Sequence, residues 1–308
     1  MIVAYAAGAG LGHLTRVRAA RHTLGLDDPL VLVTDSPWAG DRRVVGEAEV
    51  VAIEPPRADP AAARAALAGA LRRPGVTRCL LDAFPAGLAG EVDADALPDG
   101  VPVLHLARRL RWDRYAPTLP AHAPRLDRVV LVEPVGADQA DHLDRHAARP
   151  VEGPVALDDP DEPSRDAAGA PFDPAEVAGA WLVVHAGPPA EVAELVAYAC
   201  DQARVEGADP EVVVVTPGGG STLADLDRDG TVERAAGRLR VRAVDVYPAR
   251  PLFDGAARIV TAGGWNSVRQ LAPWRDKHRP LPVLRRLDDQ FVRVATGGRP
   301  PGHRSPLR

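Results

Sequence analysis

Two residues in this sequence have the types and positions that proton transfer needs. His13 ends the glycine-rich run Gly8-Ala-Gly10-Leu-Gly12-His13-Leu-Thr15-Arg16, just behind an apolar N-terminal stretch. Imidazole titrates near neutrality, so a histidine at the tip of such a turn suits a general base that removes a hydroxyl proton. A turn histidine satisfied by a backbone carbonyl fits the same residues, and the turn alone leaves both readings open. Asp82 closes the run Cys79-Leu-Leu-Asp82-Ala-Phe84. A carboxylate there can hold the second imidazole nitrogen and set its tautomer, or cap the next helix. Gly10 and Gly12 let backbone N–H groups and a helix start approach a ligand closely. A dinucleotide fingerprint requires Gly-x-Gly-x-x-Gly, and His13 stands where the third glycine belongs. The lack of Gly-Lys-Ser/Thr likewise sets aside a phosphate P-loop.

A second kind of chemistry is suggested by Ile259-Val-Thr261-Ala-Gly263-Gly264-Trp265-Asn266-Ser267-Val268-Arg269-Gln270. A strand, two glycines, then amide and hydroxyl side chains opening a helix is a layout for an anion such as a diphosphate. A plain helix cap by Asn266 or Ser267 would not need two glycines before it. Other signals are weaker. Asp225-Leu-Asp227-Arg-Asp229-Gly230 copies the start of a calcium loop, but its twelfth position is Ala236, so a surface turn is expected. Asp93-Ala-Asp95 reads as a solvated loop. No His/Cys/Asp cluster has zinc spacing, so no metal site is expected. Arg108, Arg109, Arg111 and Arg114, with Trp112 and Tyr115, read as a solvated basic face. The rival is a surface for an acidic acceptor or a membrane headgroup.

Short apolar runs alternate with helical-period segments, the pattern of βαβ units on parallel sheets. Strands are expected at Ile2–Ala6, Pro29–Val33, Cys79–Leu81, Val101–Leu106 and Val129–Val132, with a helix from Thr15 to Leu24. Residues 151–175 have linker composition, rich in Pro, Asp and Gly. A second series follows, with strands at Trp181–His185, Glu211–Thr216, Leu239–Val244 and Arg258–Thr261. Val192, Leu195, Val196, Ala199, Cys200 and Ala203 share one helix face. The fold class expected is therefore α/β, with two Rossmann-like doubly wound domains facing across a cleft. Residues 1–150 form the first domain, 176–296 the second, and 297–308 a tail.

Composition narrows the function. With 308 residues the chain fits two domains, and its 46% apolar content is globular. A net charge of −5 argues against nucleic acid as a partner. Among 37 basic residues only Lys277 is a lysine, so arginine abundance reflects genome composition more than function. Cys79 and Cys200 lie far apart in apolar runs, as buried thiols of a cytoplasmic protein would. No stretch approaches the roughly 20 apolar residues of a spanning helix.

Taken in order, these motifs resemble the GT-B glycosyltransferases, especially the bacterial enzymes around the peptidoglycan N-acetylglucosaminyltransferase and related UDP-glycosyltransferases. The likeness spans nearly the whole chain. It is carried by the Gly-His first turn, Leu-Leu-Asp-Ala-Phe, Gly153-Pro154, Gly263-Gly264-Trp265-Asn266-Ser267 and Asp288-Asp289-Gln290. It implies His13 as the acceptor-activating base and Asp82 as its orienting carboxylate. Gly264, Asn266 and Ser267 match the holders of the donor diphosphate, with Gly263 in the same turn. Asp289 and Gln290 match the pair that reads donor-sugar hydroxyls, and Gly187 with Val244–Tyr247 would line the nucleotide pocket. Many members carry a glutamate six residues after the second glycine. This chain has Gln270, whose neutral amide bonds ribose hydroxyls more weakly. The chain also ends where relatives send a helix back across the first domain.

The resemblance implies transfer of a sugar from a nucleoside diphosphate donor, UDP-linked by family, to an acceptor hydroxyl of unknown identity, with no cofactor and no bound metal. A nucleotide-sugar hydrolase on the same fold is the first alternative, because some carry Gly-His with an arginine three residues on, as His13 and Arg16 do. A non-catalytic sugar-nucleotide-binding subunit is the second. A nicotinamide oxidoreductase is the most distant, given His13.

Overall fold

The computed structural model describes residues 1–8, 10–216 and 230–297. The calcium-like segment Asp225–Asp229 and the tail beyond residue 297 lie outside them. The chain divides into two compact units. The first takes Met1–Pro160 and, much later in the sequence, Leu284–Asp289; the second takes Asp161–Val283 and the helix Gln290–Thr296.

Unit 1 is built on β1 (Ile2–Tyr5), β2 (Leu30–Thr34), β3 (Glu49–Ala52), β4 (Arg78–Ala83), β5 (Val103–Ala107) and β6 (Arg128–Leu131). They form one sheet in the order β3-β2-β1-β4-β5-β6, with every neighbouring pair parallel. Parallel neighbours cannot be joined by hairpins, so helices must cross over between them. The main helices are α1 (Leu11–Leu24), α2 (Arg42–Val45), α3 (Pro60–Leu71), α4 (Trp112–Tyr115) and α5 (Ala137–His146). Val3, Tyr5, Val31, Val33, Cys79, Leu81, Val103 and Val129 pack with Leu67, Leu71 and Leu143 into one core. Central strands covered on both faces read as continuous apolar runs, which is why β1, β2 and β4 were legible.

The two-stranded ribbon β7 (Arg165–Asp166) with β11 (Val246–Tyr247) belongs to unit 2. The main sheet of that unit contains β8 (Trp181–Val184), β9 (Val212–Val215), β10 (Val241–Val244), β12 (Arg258–Ala262) and β13 (His278–Leu281). Its order is β10-β9-β8-β12-β13, again parallel throughout. The helix α6 (Pro189–Val205) lays Val192, Leu195, Val196, Ala199, Cys200 and Ala203 onto the sheet, all buried. That is the face its spacing predicts. Each unit is thus a doubly wound, Rossmann-like α/β domain.

In both sheets the chain starts in the middle, runs outward to one side, then returns to build the other. The reversal falls between β1 and β4 in unit 1 and between β8 and β12 in unit 2. Ligands of open α/β sheets bind beyond the carboxyl ends of the strands at such switch points. Both Cys79 and Cys200 are buried thiols. Among the described residues no helix is long and apolar enough to cross a membrane.

Candidate functional site

The switch point of unit 1 gathers residues from three segments. After β1 the chain passes through Gly8 and enters α1 at Leu11, with Gly10 as the N-cap and no side chain capping the helix. The helix begins four residues earlier than expected. His13 therefore sits in its first turn, with Gly12 before it and Arg16 one turn later on the same side. The neighbouring strand β4 delivers Asp82 through an unusual close. Ala83 holds φ at 66°, in the left-handed region that costs a non-glycine residue about 1–3 kcal/mol. Phe84 N–H then bonds back to Asp82 O at 2.9 Å. This tight turn directs both Asp82 and Phe84 at the imidazole.

Nδ1 of His13 lies 2.6 Å from Asp82 Oδ2. Arg16 holds the same carboxylate in a fork, with Nε 2.5 Å from Oδ1 and its terminal nitrogen 2.7 Å from Oδ2. An anionic acceptor at Nδ1 places the proton there and leaves Nε2 as the basic nitrogen. Nε2 points back over Gly8: a Cβ on that residue would fall 2.4 Å from it, and Gly8 also has φ of 147°. Glycine at position 8 is therefore what admits the ring. Phe84 covers the imidazole from the side, ring centroids 5.8 Å apart and planes within 26°.

Electrostatics follow from burial. Burial pushes the Asp82 carboxyl up, but Arg16 and His13 outweigh it and bring it down to about 2, so it is ionised. His13 is held below its ordinary value, chiefly by burial, with Arg16 and Arg108 acting in the same direction and Asp82 opposing them. A neutral imidazole beside a permanent carboxylate is the state a base requires at neutral pH.

The switch point of unit 2 carries the glycine turn. Gly264 is the N-cap of the helix Trp265–Gln270, and neither Asn266 nor Ser267 caps it. The two glycines have different duties. A Cβ at Gly263 would meet Val294 at 2.6 Å and Gln290 at 3.2 Å, so the helix Gln290–Thr296 demands glycine there. A Cβ at Gly264 would meet nothing within 4 Å, so this residue faces open space. Arg293, buried and missed by sequence reasoning, donates to Gly263 O at 3.0 Å and sets a guanidinium against the turn. Gln270 ends the same short helix.

On the other side of this switch point, His185 follows β8 and its Nε2 is 2.8 Å from Glu191 Oε2 on the first turn of α6. A Cβ at Gly187 would fall 2.2 Å from His185 Nε2, so Gly187 makes room for this pair. Pro188 and Pro189 open α6 and carry no N–H, which leaves that helix start poor in donors.

The remaining predicted residues are dispersed. Val244 ends β10, two strands from β8, and its carbonyl accepts Thr216 N–H at 3.2 Å. Tyr247 is buried in the β7–β11 ribbon. Gln290 is buried and its Oε1 accepts Val283 N–H at 3.0 Å, which commits that oxygen to the fold. Asp289 precedes it, half-buried, at the end of Leu284–Asp289. Asp93 caps a short 3-10 turn and pairs with Arg64 at 2.8 Å. Among the described residues no cluster of three His, Cys, Asp or Glu side chains is placed to hold a metal ion.

The arginine run is corrected by the structure. Arg108 is 7% exposed, and its ion pair with Asp288, at 2.6 Å, gives it a partner that no local spacing announces. Arg111 and Arg109 are half-buried, and of the four only Arg114 is exposed. The run is not a solvated face.

No protein-family model matches the sequence, and no curated protein does. Solved structures do match. The chain superimposes on the glycotransferase of kitacinnamycin with a TM-score of 0.53 and 13% identity, covering 97% of this chain and 84% of that one. S. aureus MnaA, solved with UDP, gives 0.55 and 12%, covering 97% and 83%. The glycosyltransferase SnogD from Streptomyces nogalater gives 0.50 and 17%, covering 96% and 85%. The chain has the GT-B glycosyltransferase fold.

Proposed function

We propose that this protein is a glycosyltransferase that moves a sugar from a nucleoside diphosphate donor to an acceptor hydroxyl. The observation that carries the reading is the His13–Asp82 contact at 2.6 Å at the switch point of unit 1, within a fold shared with named glycosyltransferases. His13 Nε2 takes the acceptor proton as the oxygen attacks the anomeric carbon. Asp82, fixed in place by Arg16, keeps the ring in the right tautomer and balances the imidazolium that forms.

The donor's nucleotide belongs to unit 2. Its diphosphate is assigned to the Gly263–Gly264 turn with Asn266 and Ser267. Gly264 leaves the backbone accessible there, and the Arg293 guanidinium braces it. The Gly187 turn is a poorer diphosphate holder because Pro188 and Pro189 lack donors. Gly187, Val244, Tyr247 and Gln270 are therefore assigned to the nucleoside, and Asp289 with Gln290 to the sugar. Charge developing on the leaving diphosphate falls to the N–H groups of the turn and needs no bound metal. UDP as the nucleotide is supported by the likeness to MnaA, solved with UDP.

The test is release of nucleoside diphosphate from UDP-, dTDP- and GDP-sugars with and without a panel of hydroxylated acceptors. Acceptor-dependent release supports transfer. Rapid release with donor alone would assign the site to hydrolysis, with Arg16 beside His13. Binding of a nucleotide without turnover across the panel would point to a binding subunit.

A further inference from the structure

Beyond the His13–Asp82–Arg16 group, one chain of contacts in unit 1 leads to the imidazole from a distant part of the sequence. Leu284–Asp289 is the segment that returns to unit 1. Leu287 is buried there with Ala83, Phe84, Leu110 and Tyr115. Its carbonyl accepts Arg111 N–H at 2.9 Å. Next to it, Asp288 Oδ1 receives the Arg108 guanidinium at 2.6 Å, an ion pair with side-chain exposures of only 15% and 8%. Arg108 lies just past the end of β5, and its Cζ stands 5.7 Å from the centre of the Phe84 ring. Phe84 stacks on His13 and leans on Tyr115, whose hydroxyl donates to Gly87 O at 2.9 Å.

We propose that Asp288 and Arg108 are positioning residues for His13: their ion pair holds the guanidinium against Phe84, and Phe84 holds the imidazole in its plane over Gly8. The inference rests on the reading of His13 as the base. Two physical points support it. A guanidinium on an aromatic face is attracted to the negative face of the ring, which favours one orientation of that ring. The pair is also nearly desolvated, so losing one partner leaves a charge whose effect on its neighbours is weakly screened. The charged groups facing His13 are Asp82 from β4, Arg16 from α1 and Arg108 from beyond β5. Of these, Arg108 is the one whose own counter-charge comes from the returning segment.

The test follows the His13 ring protons by NMR titration, which needs neither donor nor acceptor. Arg108→Gln removes a cation that opposes protonation, so the His13 midpoint moves up. Asp288→Asn keeps the cation and removes its counter-charge, so the midpoint moves down. Arg108→Lys, which keeps the charge, stays nearer to the wild-type midpoint than Arg108→Gln. Loss of packing alone would move the first two in the same direction. In the transfer assay both variants lower kcat by between about tenfold and 10²-fold, with donor KM within about twofold, as a misplaced group should. Opposite shifts support the assignment. Shifts of the same sign, or none in a folded protein, overturn it. Should Arg108→Gln fail to fold, Asp288→Asn decides alone: a downward shift supports the proposal, and an upward shift or none overturns it. Opposite shifts in a protein that transfers no sugar would instead refute the transferase reading and leave the positioning intact.

Discussion

Each unit places a histidine against a carboxylate at its switch point, and the two pairs are built in opposite ways. His13 meets Asp82 across 69 residues of sequence, from a different strand, with the carboxylate fully buried and forked by Arg16. His185 meets Glu191 across only six residues, on the following helix, with side-chain exposures of 13% and 16%. Both need a neighbouring glycine to seat the ring, Gly8 in one case and Gly187 in the other. The bonded nitrogen also differs, Nδ1 in the first pair and Nε2 in the second. A base has to be held by something that neither titrates nor relaxes when it takes a proton. A buried carboxylate on a central strand, neutralised by arginine, meets that requirement. A carboxylate on the first turn of the next helix moves with that turn.

The contrast can be broken by paired substitutions. The largest effect is expected at the histidines themselves. His13→Ala lowers kcat for transfer by about 10²–10⁴-fold, the usual worth of a general base, whereas His185→Ala changes it by less than about tenfold. Initial rates at saturating donor decide this, and equal losses would erase the distinction. Next come the carboxylates. Asp82→Ala leaves Arg16 buried without its main partner and costs about 3–5 kcal/mol of stability by denaturant titration. Glu191→Ala, at a partly exposed pair, costs about 1 kcal/mol or less. Smaller than the Asp82→Ala loss, Gly8→Ala forces strain at positive φ and a collision with His13, lowering stability by about 1–3 kcal/mol and kcat with it. Gly187→Ala must displace His185 and raises donor KM while sparing kcat.

The two units should also respond to acid in stages. Burial lowers His105 and His142 of unit 1, each to about 4, and His13 in the same direction. In unit 2, burial and Arg279 lower His278 to about 4. Below the ordinary histidine value of about 6.5 the unfolded chain binds protons that the folded one refuses. Stability therefore falls as pH drops from about 6.5 towards 4. Asp82, held at about 2, keeps its contribution until the pH passes below the ordinary aspartate range, and loses it as pH approaches 2. Chemical denaturation at stepped pH should show stability rising from pH 4 to 6.5. A flat profile over that window would contradict the burial of these imidazoles.

Much of the fold was legible because central parallel strands are apolar on both faces. Two of the edge strands were not, although the edge strands β6 and β10 were. Glu49–Ala52 and His278–Leu281 carry Glu49, Arg279 and Pro280, and half-exposed strands have no continuous apolar run to betray them. The start of α1 was misplaced because Gly10 caps it in extended geometry without a side-chain signal. At the candidate site, His13, Asp82 and the glycine turn could be named from local order. Their roles remain proposals, but the structure does bring the first two into contact. What local order could not carry was long-range pairing. Arg108 and Asp288 are 180 residues apart, so Arg108 read as part of a surface run. Arg293 likewise gives no sign in sequence that it sits under Gly263. Gly263 shows the converse: its glycine is explained by the packing of Val294 and Gln290, a need indistinguishable in sequence from ligand approach.

With the base on unit 1 and the nucleotide site on unit 2, the two functions should separate in one variant. The direct measurement is calorimetric titration of UDP into wild type and His13→Ala, alongside acceptor-dependent transfer by the same samples. UDP affinity should stay within about twofold of wild type while transfer falls by about 10²-fold or more. Parallel loss of both, or full transfer without His13, would contradict it.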